Sequence, residues 1–283
     1  MVKLGSDYTG YKTVVDSDPL LPALYEDKTR NWFGLVENQY LLVVNADGQP
    51  VDRYKWQDGR CKNIPRKPVE SSQMGKVRPK NVEQEFAVDL LLDESVPVKL
   101  ITGPFGSGKT MLSSAVALQM IQGGKYDKIV WVRNNIEVKD TNSIGALPGT
   151  YLEKMSVWAM PLADHLGGRY ALDMQIQMGK VEIEHLGFLR GRDIKRSVIF
   201  CSEAEHLTRD HVQLLLGRVA EGSVLILEGD LRQVDAKAFE KSSGLVSAIE
   251  KLRGNRLFGY VHLRESVRSE TAKLADLLDD DNK

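Results

Sequence analysis

The segment Gly103-Pro104-Phe105-Gly106-Ser107-Gly108-Lys109-Thr110 has the spacing Gly-x4-Gly-Lys-Thr. Each conspicuous residue type in it suits the binding of a polyphosphate. Glycines permit backbone dihedrals that turn several N–H groups towards one point. The N-terminus of a following helix adds partial positive charge. An ammonium at Lys109 can reach the outer phosphates, and the Thr110 hydroxyl can ligate Mg²⁺. The pattern follows an apolar strand, Val98–Thr102, and precedes a helix over residues 110–122 that stops at Gly123-Gly124. In that context it predicts a nucleoside triphosphate site, with ATP and Mg²⁺ as the expected cofactors.

Two strand ends offer groups that could act on the terminal phosphate. An apolar run over 198–201 leads into Ser202-Glu203-Ala204-Glu205-His206. A carboxylate there can polarise an attacking water, which makes Glu203 the candidate. The alternative is that Glu203 and Glu205 only begin a loop. A second apolar run over 224–227 leads into Glu228-Gly229-Asp230-Leu231-Arg232-Gln233. Gln233 could hydrogen-bond a γ-phosphate oxygen or the lytic water; otherwise this is an ordinary turn around Gly229-Asp230. The most basic window of this half is Arg190-Gly191-Arg192-Asp193-Ile194-Lys195-Arg196. It is either a track for a phosphate backbone or a solvated connecting loop. Trp131 and Trp158 either stack bases or fill the core.

The elements that must position these groups alternate. A helix is predicted over Val82–Leu92 and strands over Val98–Thr102, 129–132, 198–201, 224–227 and 257–263, with helices over 209–219, 243–252 and 269–278. The strands are mostly continuous apolar runs and not alternating ones, which suits a parallel sheet covered on both faces. The expected fold class is therefore α/β. Residues 1–61 read as a small β-rich unit, with strands at 12–15 and 39–44 and a return strand to Trp56 after the Asn45-Ala46-Asp47-Gly48 turn. Residues 62–79, rich in Pro, Ser, Lys and Arg, read as a linker, and 80–283 as the nucleotide-binding domain.

The chain of 283 residues is 42% hydrophobic and 27% charged, an ordinary globular composition. A net charge of −1 gives no global attraction to nucleic acid, so such contact needs a local patch. Cys61 and Cys201 have no metal or redox spacing and suit a reducing cytoplasm. No run has the length of a signal peptide or a membrane span, so a soluble, cytoplasmic protein without a membrane partner is expected.

Taken together, the motifs resemble those of the PhoH-like family, relatives of superfamily 1 helicases. Pro79-Lys80-Asn81-Val82-Glu83-Gln84 is similar to the family's first motif, and the resemblance implies that Gln84 reads the adenine. Residues 103–110 match the phosphate loop. Ile144-Gly145-Ala146-Leu147-Pro148-Gly149, with Glu153-Lys154-Met155 and Trp158, resembles a segment characteristic of these proteins. Leu189-Arg190-Gly191-Arg192 looks like their Arg-Gly-Arg element. Glu203-Ala204 resembles the Walker B strand end, Gly229-Asp230-x-x-Gln233 helicase motif III, and Val267-Arg268-Ser269 the motif whose arginine contacts the γ-phosphate. The resemblance implies a RecA-like P-loop fold, ATPase activity, action on RNA or single-stranded nucleic acid, and a hexameric ring.

One departure bears on chemistry. Ser202 stands where the family has the Walker B aspartate that holds Mg²⁺. A hydroxyl brings no charge, so weaker metal binding and slow turnover are expected. Residues 1–79 look too short for the PIN nuclease domain of many relatives, and no second motor lobe follows Arg268. A complete site would then take a wall from a neighbouring subunit. Arg268 acts at its own γ-phosphate, or Arg190 or Arg192 comes from the neighbour. Two functions compete: an ATPase, with RNA helicase activity as a further possibility, and a nucleotide-gated oligomeric scaffold with little hydrolysis, which Ser202 favours. A small-molecule phosphotransferase fits less well with Gln233 and Arg268.

Overall fold

The computed structural model describes residues 8–133, 157–232 and 243–267. Strands β7 (Val98–Thr102), β8 (Lys128–Arg133), β9 (Val181–His185), β10 (Ser197–Cys201), β11 (Val224–Gly229) and β12 (Phe258–His262) form one sheet in the order β12-β7-β11-β10-β8-β9. Every neighbouring pair in it is parallel. Successive residues of a strand point to opposite faces. Ile101, Trp131, Phe200 and Ile226 join one core cluster, while Leu100, Val130, Ile199 and Leu225 join another. Both faces of the central strands are buried, which is why they read as mostly apolar runs, whereas edge strand β9 alternates with glutamates.

Helices α2 (Val82–Leu92), α3 (Lys109–Gln122), α4 (Met160–Leu166) and α5 (Arg169–Gln177) supply the first cluster, through residues such as Phe86, Leu112, Leu162 and Leu172. Helices α6 (Arg209–Leu216) and α7 (Gly244–Leu252) supply the second, through Val212, Leu215, Leu245 and Ile249. This is the expected RecA-like arrangement, a parallel sheet flanked by helices. Trp131 lies in the core: it is fully buried, packs against Phe200 and donates its indole N–H to the Trp158 carbonyl at 3.1 Å.

The N-terminal strands β1 (Tyr11–Val15), β2 (Tyr40–Val44), β3 (Pro50–Gln57) and β4 (Arg60–Asn63) form a separate sheet in chain order, next to a short helix α1 (Leu21–Glu26). Alternation along β2 divides its work. Leu41 and Val43 face a local core with Leu24 and Phe33, whereas Tyr40, Leu42 and Val44 face the larger domain. The Tyr40 ring stacks on Phe86 of α2 with centroids 4.6 Å apart. Residues 62–79, expected to be a linker, carry a packed hairpin, β5 (Val69–Ser71) and β6 (Gly75–Val77). Val69 is fully buried, and the N–H groups of Glu70 and Ser72 donate to Gln119 and Gln122 of α3 at 2.8 and 2.9 Å. The polar composition hid a segment that is anchored by one apolar side chain and two hydrogen bonds.

Candidate nucleotide site

The glycine-rich loop joins β7 to α3 at the C-terminal edge of the sheet, the edge where ligands bind in open α/β folds. No side chain caps α3: its N-cap is Gly108, in a left-handed conformation with φ +89°. The first-turn N–H groups are thus left for an anion. A side chain at Gly108 would also collide with Gln84, whose Nε2 lies 2.9 Å from the ideal Cβ position. Beyond β12 the chain returns to the loop, and the Val267 N–H donates to the Gly106 carbonyl at 3.1 Å.

Lys109 turns its ammonium back on this loop, donating to the carbonyls of Gly103 at 2.6 Å and Pro104 at 2.9 Å. Burial lowers its pKa, opposed by Glu228, Asp230 and Glu205. Thr110 donates its hydroxyl to Glu228 Oε1 at 2.8 Å. These groups open on a cavity of about 370 Å³, whose other walls include Phe105, Ser202, Glu203 and Asp230. One ammonium therefore faces several carboxyl groups, which suits a triphosphate that arrives with a divalent cation.

Three of those carboxyls, Glu228, Glu205 and Asp230, are buried. Glu228, at 2% exposure, is pushed up to about 7 by burial, against the hydroxyl of Thr110, the charge of Lys109 and the proximity of Ser202. Glu205 is likewise pushed up to about 7 by burial and accepts from the Asp230 N–H at 3.2 Å. Neither stood out in the sequence. An apolar run that ends at Leu227 leaves Glu228 outside the strand; β11 continues through Gly229 and carries the carboxylate up to Thr110. A lone acidic residue closing an apolar strand was the available signal.

Glu203 reaches the same cavity from just beyond β10. It holds a left-handed conformation, φ 52°, uncommon outside glycine, and its carboxylate pairs with the guanidinium of Arg133 at the end of β8. Gln84 is fully buried with both ends of its amide engaged. Oε1 accepts from the Lys80 N–H and Nε2 donates to the Ser107 carbonyl, each at 2.8 Å. In this geometry it clamps the phosphate loop to the start of α2. Asn81 caps that helix by accepting from the Gln84 N–H at 2.9 Å, with Glu83 and Glu85 in the first turn.

Arg190 and Arg192 stand on the far side of the sheet, after edge strand β9, which is separated from β7 by three strands. Arg192 is engaged with Glu184 at 2.6 Å and Glu182 at 2.7 Å, and Arg196 with Asp127 at 3.0 Å. Arg190 is exposed. Within the chain, neither Arg190 nor Arg192 joins Lys109. Gln233, Arg268 and the 144–155 segment lie outside the described residues.

A second cavity, of about 1060 Å³, lies between the N-terminal sheet, the β5–β6 hairpin and the start of α2. Arg66, Lys67, Lys76, Arg78 and Lys80 line it and are exposed. Glu85 pairs with Arg66 and Glu70 with Lys76, while no ion pair among the described residues engages Lys67, Arg78 or Lys80.

A family model described as PhoH-like protein matches residues 76–277. The chain is 34% identical over 289 residues to a PhoH2 protein of Bacillus subtilis, covering 96% of this chain and 64% of that protein. A PhoH2 protein of Mycolicibacterium smegmatis is 34% identical over 201 residues, covering 70% of this chain and 46% of that one. The chain thus spans between about half and two thirds of these relatives' lengths. A solved Pif1 helicase from Candida albicans aligns with a TM-score of 0.36 and 16% identity over 71% of this chain and 43% of its own, too distant to bear on function. The phosphate loop, the strands that frame it and a family match over most of the chain lead to one conclusion: the chain belongs to the PhoH-like family of P-loop NTPases.

Proposed function

We propose that the protein binds and hydrolyses ATP with Mg²⁺, and couples turnover to RNA or single-stranded nucleic acid. The observation that carries this reading is the joint placement of Lys109 and Thr110 at the mouth of one cavity, below the open N-terminus of α3. Lys109 would exchange its loop carbonyls for the β- and γ-phosphates, and Thr110 would ligate the cation. The base would lie towards Lys80–Gln84, which is joined to Ser107 through Gln84. Glu203 would orient the attacking water, with Gln233 and Arg268 at the γ-phosphate.

Nucleic acid contact draws support from Lys67, Arg78 and Lys80, exposed basic side chains along one cleft and not consumed by ion pairs there. Exposed cations in a groove suit a phosphate backbone. The Arg190 window supports it less, because Arg192 and Arg196 are engaged locally. A homo-oligomeric ring, hexameric by family resemblance, would bring Arg190 to a neighbour's site. Cys61 and Cys201, free and buried, suit a cytoplasmic setting. Among the described residues no helix is long and apolar enough to cross a membrane.

Ser202 favours a second reading, a nucleotide-gated scaffold with little hydrolysis. Phosphate release with and without single-stranded RNA separates the two. The ATPase reading expects release by the wild type, its loss in Lys109→Ala, and stimulation by RNA that fades with salt. Tight binding with no release would instead establish the scaffold. Stimulation that survives Lys67→Ala/Arg78→Ala/Lys80→Ala would remove the basic cleft from the account.

A further inference from the structure

Resting on the nucleotide-site reading, we propose that Glu228 supplies the carboxylate that holds the nucleotide's Mg²⁺, in place of the one missing at Ser202. The chemistry has moved sideways by one strand. Strands β10 and β11 run parallel with Cys201 opposite Leu227, so Ser202 and Glu228 come next, side by side. Adjacent strands are about 4.8 Å apart. β11 lies between β10 and the loop strand β7, so a side chain on it starts nearer the phosphate loop. Glutamate also extends one methylene beyond aspartate.

Three features of Glu228 fit this role. Its Oε1 accepts the Thr110 proton at 2.8 Å. That contact turns the hydroxyl proton away and leaves a lone pair of Thr110 for a cation, so the two side chains form the protein's half of a hard-cation site. Its Oε2 is buried, and no donor among the described residues makes a hydrogen bond of ordinary geometry to it. The Ser202 hydroxyl helps favour the charged carboxylate but makes no hydrogen bond of ordinary geometry to Oε2, and the Lys109 ammonium donates to the carbonyls of Gly103 and Pro104. A buried carboxylate oxygen with no partner is costly, and a cation with its water shell would meet that need. Finally, Glu228 lines the cavity that Lys109 and Thr110 face. Glu228 then supplies a metal carboxylate one strand away from Ser202.

The test counts Mn²⁺ bound with ADP by electron paramagnetic resonance, alongside calorimetric titration of ADP in EDTA. The expected result is that Glu228→Gln, nearly isosteric, lowers Mn²⁺ affinity by about 10- to 100-fold and leaves ADP affinity in EDTA undiminished. The swap Ser202→Asp/Glu228→Ser recovers most of the Mn²⁺ affinity that Glu228→Ser alone loses, with folding followed by circular dichroism. Unchanged Mn²⁺ affinity in Glu228→Gln, or a folded swap no better than Glu228→Ser, overturns the inference alone. Failure of the wild type to bind ADP in either condition overturns the nucleotide-site reading and this inference with it.

Discussion

Lys109 and Thr110 differ from Glu228 in how far their roles can be read along the chain. The first two belong to one contiguous pattern whose function is local: a loop, a helix start and two side chains within eight residues. Glu228 acquires its role through the register of two strands and the approach of a third, and no spacing in the sequence encodes that meeting. Without Glu228, Mg²⁺ rests on Thr110 and the phosphates, and Ser202 reads as a loss. Gln84 shows the converse. The resemblance implies base recognition, whereas the structure shows an amide engaged at both ends. Gln84→Ala should lower stability by about 1–3 kcal/mol in the ligand-free protein, because it leaves two backbone groups without partners. Urea denaturation measures this. An unchanged midpoint, with loss of ATP-over-GTP preference, would make base reading its main task.

Strands in the middle of the sheet were legible because both of their faces are covered and most of their residues are apolar. Strand β9 was missed although Val181 and Ile183 alternate with Glu182 and Glu184, which is the signature of an edge strand with one polar side. The helices α4 and α5 were missed too, as short elements broken by Gly167-Gly168. One buried charge makes the loop strand testable. Lys99 on β7 is fully buried, with its ammonium on the carbonyls of Asp93 and Val96. Burial lowers its pKa from 10.5 to about 7, against the pull of the Asp93 carboxylate. Between those values the unfolded chain holds a proton that the folded chain has released, so stability rises with pH across that window. Below about 7 the folded chain must carry the buried charge. From pH 7 to 8.5 the wild type should gain stability relative to Lys99→Met, by at most about 1.4 kcal/mol per pH unit. Parallel denaturation curves of the two proteins would contradict the assignment. On β12, a Cβ at Gly259 would come within 2.2 Å of Leu90 Cδ1 on α2. Gly259→Ala should cost about 1–3 kcal/mol by overpacking, read from the same curves.

At the scale of the molecule, the N-terminal sheet and the nucleotide-binding domain share a core. The sequence separated them by a linker because it showed composition and not contacts. Asn38 is one fastening. It is buried in a left-handed conformation, donates to the carbonyls of Arg256 at 3.0 Å and Phe258 at 2.9 Å, and accepts from Gln57 at 3.1 Å. Asn38→Ala should cost about 1–3 kcal/mol while leaving a single unfolding transition, since the two parts fold on one core. Two separate transitions would show that the sheet is an independent unit. The central claim for the whole chain is that a nucleotide's phosphates are held by the loop between β7 and α3. Calorimetric titration of ATP with Mg²⁺ into the wild type and Lys109→Ala tests it most directly. Saturable heat from the wild type, with affinity at least about 10-fold weaker in the folded variant, is the expected result, in line with the loss of charge-assisted hydrogen bonds. No heat from the wild type, or equal affinity in the two proteins, would contradict it.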